Sequence, residues 1–213
     1  MEPQSTILPP QEVPAAPKKI KSDSAFKNIA LTLAIIIAAP LTALLITSFL
    51  FQSYEVFGPS MQSTLQNGDR LIVVKAPRTW AKIRGKDYQP ARGEIIVFTK
   101  TDLLIGGESG NKQLIKRVIA LPGEKVVVKD GIVTVFSAAR PEGFVPDKEG
   151  SWADTIQKTA IDGTWTVGAN EVFVCGDNRD NSLDSRSFGP VHERDIVGTA
   201  KFRFMPLSES KSF

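Results

Sequence analysis

Residues 126–135 read Val126-Val127-Val128-Lys129-Asp130-Gly131-Ile132-Val133-Thr134-Val135. Two β-branched runs flank an Asp-Gly pair. Valine and isoleucine suit a pleated strand, and Asp-Gly supplies the left-handed conformations of a tight hairpin turn. The segment therefore predicts a β-hairpin. Similar short apolar runs recur on both sides of it, giving strands expected at 70–75, 94–99, 114–120, 125–129, 132–136, 171–175 and 196–204. Turn pairs or triplets separate several of them: Asn67-Gly68-Asp69, Arg92-Gly93 and Pro122-Gly123. No long helical pattern follows residue 52. Residues 53–213 are thus expected to form one mainly β, antiparallel domain. Residues 138–163 are polar, carry glycine and proline, and read as an exposed excursion between strands.

Upstream the chain changes character. Residues 29–51 run IALTLAIIIAAPLTALLITSFLF, 23 residues without a charge. As a helix they reach roughly 34 Å, enough for a hydrocarbon core of about 30 Å. Pro40 is tolerated in a membrane helix, where neighbours and local adjustment satisfy the freed carbonyl. A cleavable leader would have a shorter apolar region and a small-x-small site, whereas this stretch ends in Phe49-Leu50-Phe51-Gln52. The expectation is a signal-anchor helix over 26–52. Residues 1–25 hold Pro3, Pro9, Pro10, Pro14 and Pro17 among polar groups and read as a disordered tail. Lys18, Lys19, Lys21 and Lys27 precede the span, and Arg70 is the one basic residue in the twenty that follow it. This asymmetry puts the tail in the cytoplasm and the β-domain outside.

The 213 residues carry a formal net charge of +3, with 42% apolar and 23% charged residues. That composition supports a packed core, and no basic run suits a nucleic acid. One histidine, His192, and one cysteine, Cys175, leave little room for chemistry built on those types. No intrachain disulfide is possible. Cys175 follows Val172-Phe173-Val174 and reads as a small buried hydrophobe, and His192 lies in a polar, turn-like stretch. No His/Cys cluster has zinc-ligand spacing, so no metal is expected. A P-loop and a dinucleotide fingerprint are absent, and no cofactor is expected.

A Ser-Lys dyad remains. Serine needs a base, and lysine, with an ordinary pKa near 10.4, serves as one only where burial in apolar surroundings lowers it. Lys116 lies in Leu114-Ile115-Lys116-Arg117-Val118-Ile119-Ala120. Alternation puts it on the side of Leu114 and Val118, and Arg117 on the other. On pattern alone, an edge-strand lysine reaching solvent stays open. Two hydroxyl-bearing turns stand out: Gly58-Pro59-Ser60-Met61-Gln62-Ser63-Thr64-Leu65, just after the span, and Gly176-Asp177-Asn178-Arg179-Asp180-Asn181-Ser182-Leu183-Asp184-Ser185-Arg186. The second can build a self-satisfied polar turn. It fails the EF-hand pattern, and Arg179 and Arg186 suit a divalent cation poorly.

These boxes resemble the bacterial type I signal peptidases (leader peptidases). The matching residues are Gly58-Pro59-Ser60-Met61 with Thr64-Leu65 and Gly68-Asp69; Arg92 to Phe98; Ile115 to Glu124; and Gly176 to Ser182 with Asp184-Ser185-Arg186 and Gly189. They fall in family order over residues 56–200. The resemblance implies a partly open antiparallel β-barrel behind a single membrane helix. It implies a Ser-Lys endopeptidase that removes signal peptides after small residues at −1 and −3. Ser60 would be the nucleophile and Lys116 the base. Ser182 would hydrogen-bond the Lys116 amine, held by a turn of Asp177, Arg179, Asp184 and Arg186. Backbone N–H groups at Ser60 and near Gly58 would form the oxyanion hole. Val56, Met61, Leu65, Leu71, Val97, Leu114 and Ile115 would line the substrate pockets. The implied partners are signal peptides, the lipid bilayer and the secretion translocon, at a bacterial plasma membrane. Many members have proline where this chain has Ser63, and some have serine where it has Gly58.

Three other readings remain at this point. A self-cleaving Ser-Lys repressor or mutagenesis protein would need an N-terminal DNA-binding domain, where this chain has an apolar span. A membrane-tethered, non-enzymatic β-domain would have no need of Ser60, Lys116 and Ser182 together. A specialised peptidase of conjugation or organelle import would share the chemistry and differ in substrate.

Overall fold

The structure, a computed structural model, describes residues 22–86, 88–105, 107–150, 152, 159 and 161–213. The expected tail falls outside these residues up to position 21. Helix α1, Ser22–Phe49, starts four residues before the expected boundary and contains Pro40. From Phe26 to Phe49 it is long and apolar enough to cross a membrane, and its residues are exposed.

Among the described residues the β-domain holds twelve strands: β1 Phe51–Glu55, β2 Arg70–Val74, β3 Ile95–Ile105, β4 Glu108–Ala120, β5 Lys125–Lys129, β6 Ile132–Ser137, β7 Arg140–Phe144, β8 Gly163–Thr166, β9 Glu171–Cys175, β10 Val191–His192, β11 Ile196–Met205 and β12 Lys211–Ser212. Short helices lie between them: α2 Ala76–Ile83, α3 Pro146–Glu149 and α4 Ser185–Phe188. Pairing is antiparallel throughout. The larger sheet runs β1-β2-β11-β3-β4-β9-β10, with β12 on β11, and the smaller runs β7-β6-β5-β8. The larger sheet curls. Tyr54 on β1 and Val56 just after it, at one end of the strand order, wall the same cavity as Leu114 and Lys116 on β4, with three strands between.

Three apolar clusters hold the domain. One contains Val56, Met61, Leu65, Leu71, Val73, Ile95 and Val97. A second joins Ile96, Phe98, Val118, Val172, Val174 and Ile196 on the other side of the same strands. The third packs the hairpin valines 126, 128, 133 and 135 against Ile119, Phe144 and Phe173. Both faces of β3 and β4 are therefore covered.

The 138–163 segment is more than an exposed excursion. It supplies β7, α3 and the start of β8, and Phe144 enters the third cluster. β3 and β4 also extend beyond the expected 94–99 and 114–120. Their outer portion, around Lys100 and Lys112, is polar and lacks the apolar alternation that marks a half-buried strand.

Candidate active site

Ser60 sits on the loop between β1 and β2. Backbone bonds close this loop at its base, from Val56 N to Asp69 O and from Gly68 N to Val56 O, both 2.8 Å. Asp69 is buried and accepts from Gln66 N and Arg203 Nη1, each at 2.8 Å. Met61 and Leu65 anchor the loop by pointing into the core. Ser60 is left half-buried with its hydroxyl toward β4.

Lys116 Nζ lies 2.7 Å from Ser60 Oγ and donates to Ile115 O at 2.9 Å. The lysine is 3% exposed. Burial, the largest influence, pulls its pKa from 10.5 down to about 8 against the opposing pull of Asp184 and Asp177. The amine next to the hydroxyl is thus poised near neutrality, as a proton acceptor requires.

The other face of β4 carries Arg117, also buried. It holds Asp177 through Nε to Oδ1 at 2.8 Å and Nη2 to Oδ2 at 2.6 Å, and it donates to Gly93 O at 2.8 Å. Thr64 Oγ1 donates to Asp177 Oδ2 at 2.5 Å. Asp184 accepts from Gly176 N at 2.9 Å and from Arg186 Nε and Nη2 at 2.8 and 2.7 Å. Arg179 donates to Gly176 O at 3.0 Å and to Asp147 Oδ1 at 2.6 Å. The charged turn is therefore not self-satisfied. Asp177 is secured from β4 and Arg179 from α3. Asp147 was not legible as a partner, because a contact across 32 residues leaves no spacing signal.

The turn clasps the Ser60 backbone. Asn178 N donates to Ser60 O at 3.1 Å and Asn178 Nδ2 to Pro59 O at 3.2 Å. Gly176 lies against the same carbonyl: a Cβ there would fall 2.4 Å from Ser60 O and 2.3 Å from Ser182 Oγ. Only glycine fits between them.

Two contacts differ from those that the resemblance implies. The Ser182–Lys116 hydrogen bond is not formed. Lys116 is engaged by Ser60 and Ile115, and Ser182 Oγ is buried against Gly176 without a hydrogen-bond partner among the described residues. The Gly58 N–H donates to Asn67 Oδ1 at 2.9 Å and is already spent. The Ser60 N–H has no acceptor among the described residues. Ser63 has φ +83°, a value that proline's ring forbids.

A cavity of about 120 Å³ opens beside Ser60 and Lys116. Val56, Leu71, Val97, Leu114 and Ile115 line it as expected, whereas Met61 and Leu65 lie behind it in the core. Tyr54, Phe57 and Gln113 complete its wall and were not anticipated. Cys175 is fully buried with its thiol pKa pushed up by burial, which disfavours a thiolate nucleophile, and His192 Nδ1 accepts from Arg194 N. No cluster of metal-ligand type occurs among the described residues.

The sequence profile described as signal peptidase, peptidase S26, matches residues 28–205. The chain is 35% identical over 176 residues to signal peptidase I of Bacillus licheniformis, covering 82% of this chain and 87% of that one. It is 35% identical over 214 residues to signal peptidase I of Leptolyngbya laminosa, covering 98% and 95%. A solved signal peptidase I from Enterococcus faecalis aligns with a TM-score of 0.37 at 29% identity, over 52% of this chain and 95% of that one. By profile and by identity alike, the chain belongs to the signal peptidase family, peptidase S26.

Proposed function

We propose that this protein is a membrane-anchored serine endopeptidase that removes signal peptides from exported preproteins, with Ser60 as nucleophile and Lys116 as general base. The observation that carries the proposal is the 2.7 Å approach of a buried, pKa-lowered lysine to a half-buried serine hydroxyl. Helix α1 spans the bilayer once. The basic residues before it hold the N-terminus in the cytoplasm and the β-domain on the outer face of a bacterial plasma membrane.

The groove supports an extended substrate. Pairing of β9 with β4 begins at Arg117, which leaves the edge of Gln113–Lys116 open, and Tyr54 to Phe57 face it. A chain emerging from the translocon can add there as a strand, with backbone bonds giving affinity and alternate side chains entering pockets. The apolar cavity is small enough to favour short side chains at −1 and −3.

Neutral Lys116 takes the Ser60 proton as Oγ attacks the scissile carbonyl. The Ser60 N–H faces the developing oxyanion. The lysine returns the proton to the leaving amine, then activates water against the acyl-enzyme. Ser182 and Gly176 position the Ser60 segment by packing, and Asp177, Arg179, Asp184 and Arg186 hold that turn rigid.

The test is incubation of the purified full chain with a model preprotein and sequencing of the new N-terminus. Cleavage directly after a small-x-small motif supports the proposal. An intact preprotein, or cuts scattered without regard to that motif, refutes it.

A further inference from the structure

Helix α2 poses an energetic problem. At eight residues it is shorter than the roughly 12–15 that isolated helices need in water, and it buries no side chain in the domain. Trp80 is 56% and Ile83 70% exposed. Residues 75–86 carry Lys75, Arg78, Lys82, Arg84 and Lys86 and no acidic residue. A short, unburied helix with an exposed indole and an exposed isoleucine among cations has the composition of an interfacial membrane element.

Its attachment fixes where it lies. Lys75 N donates to Leu50 O at 2.8 Å and Thr79 Oγ1 to Phe49 O at 3.1 Å. Both acceptors lie where the apolar stretch ends, so α2 is tied to the point at which the chain leaves the hydrocarbon. Tryptophan is favoured at that depth. Beside the helix, a cavity of about 260 Å³ is lined by Arg78, Lys82, Lys86, Tyr88, Glu193 and Arg194. Arg78 is steadied by its bond to Arg194 O at 3.1 Å, which holds its guanidinium on the cavity wall. Four cations against one carboxylate, Glu193, leave the opening net positive, which suits the phosphate of a lipid headgroup.

We infer that α2 is a second membrane contact: Trp80 and Ile83 enter the interface of the outer leaflet, and Arg78, Lys82, Lys86 and Arg194 hold anionic phospholipid headgroups. This rests on α1 spanning the bilayer. The contact seats the β-domain against the membrane surface, in addition to tethering it. Each basic residue near an anionic surface strengthens attachment by roughly fivefold.

The test uses the full chain in vesicles of phosphatidylglycerol and phosphatidylcholine, and in phosphatidylcholine alone, each with brominated acyl chains. Bromine quenches tryptophan only within the bilayer. Wild type should lose a portion of its emission that Trp80→Phe, which keeps Trp152 and Trp165, does not lose. That portion should be larger with phosphatidylglycerol, and the difference should vanish in Arg78→Glu/Lys82→Glu/Lys86→Glu. Equal quenching of wild type and Trp80→Phe overturns the inference. Alkaline carbonate extraction of the same vesicles reads the anchor separately. Resistance to extraction without Trp80 quenching removes the α2 contact and leaves the span. Extraction with salt-sensitive Trp80 quenching does the reverse.

Discussion

Arg117 grips Asp177 through two hydrogen bonds on the face of β4 opposite Lys116. A single strand thus presents the base to the Ser60 hydroxyl and, one residue later, fixes the turn that clasps the Ser60 carbonyl. Ser60 and Lys116 are held in register through consecutive side chains of β4 and through the direct bonds of Asn178 to the Ser60 loop.

Removing Arg117 should therefore be costly for folding. Asp177 is 1% exposed and would keep only the Thr64 hydroxyl as a side-chain partner. Arg117→Met should lower stability by about 3 kcal/mol, the range found when one member of a buried ion pair is deleted. Denaturant unfolding measures it, and Arg117→Met/Asp177→Asn should recover part of the loss.

Gly176→Ala should leave the domain folded and slow catalysis. The added methyl meets Ser60 O and Ser182 Oγ well inside contact distance, so the Ser60 segment must shift. A displacement on the ångström scale costs about 100-fold in kcat. Steady-state kinetics on a preprotein should show the loss in kcat with KM little changed.

Ser182→Ala removes a buried hydroxyl that has no partner among the described residues. Stability should hold or rise by up to about 1 kcal/mol. A fall in stability would mean that the hydroxyl is bonded in the folded protein.

Lys116 makes stability depend on pH. Its folded pKa, about 8, lies below the ordinary 10.5, so between these values the unfolded chain binds more protons and stability rises with pH. Below pH 8 the cost of burying the cation is present in full, about 3 kcal/mol by linkage. Lys116→Met should accordingly be more stable than wild type at pH 7, with the gain disappearing as pH rises through 10.5. Thermal melts across that window read the effect. The same protonation should make kcat/KM of the wild type rise with pH about a midpoint near 8.

Much of this was legible in the sequence, and for identifiable reasons. The β-branched runs around Asp130-Gly131 and at 171–175 fold where expected, because burial on one or both faces enforces the pattern. β1 was missed because Phe51–Glu55 is exposed or half-exposed along its length. α2 was missed because it is short and none of its residues is fully buried. Alternation separated Lys116 from Arg117 correctly but implied one wet face, whereas the sheet is covered on both sides and each residue is buried. Ser60 and Lys116 meet, a pairing that the family resemblance implied and local pattern left open. The role of Asp147 depends on a fold-level approach that no local spacing encodes.

The most direct test of the dyad is the rate of preprotein cleavage by Lys116→Met at pH 8, measured on protein whose unfolding curve shows it fully folded. Loss of the positioned base predicts a fall of at least about 100-fold. Cleavage by this variant at the wild-type rate would contradict the assignment of Lys116 as the base that activates Ser60.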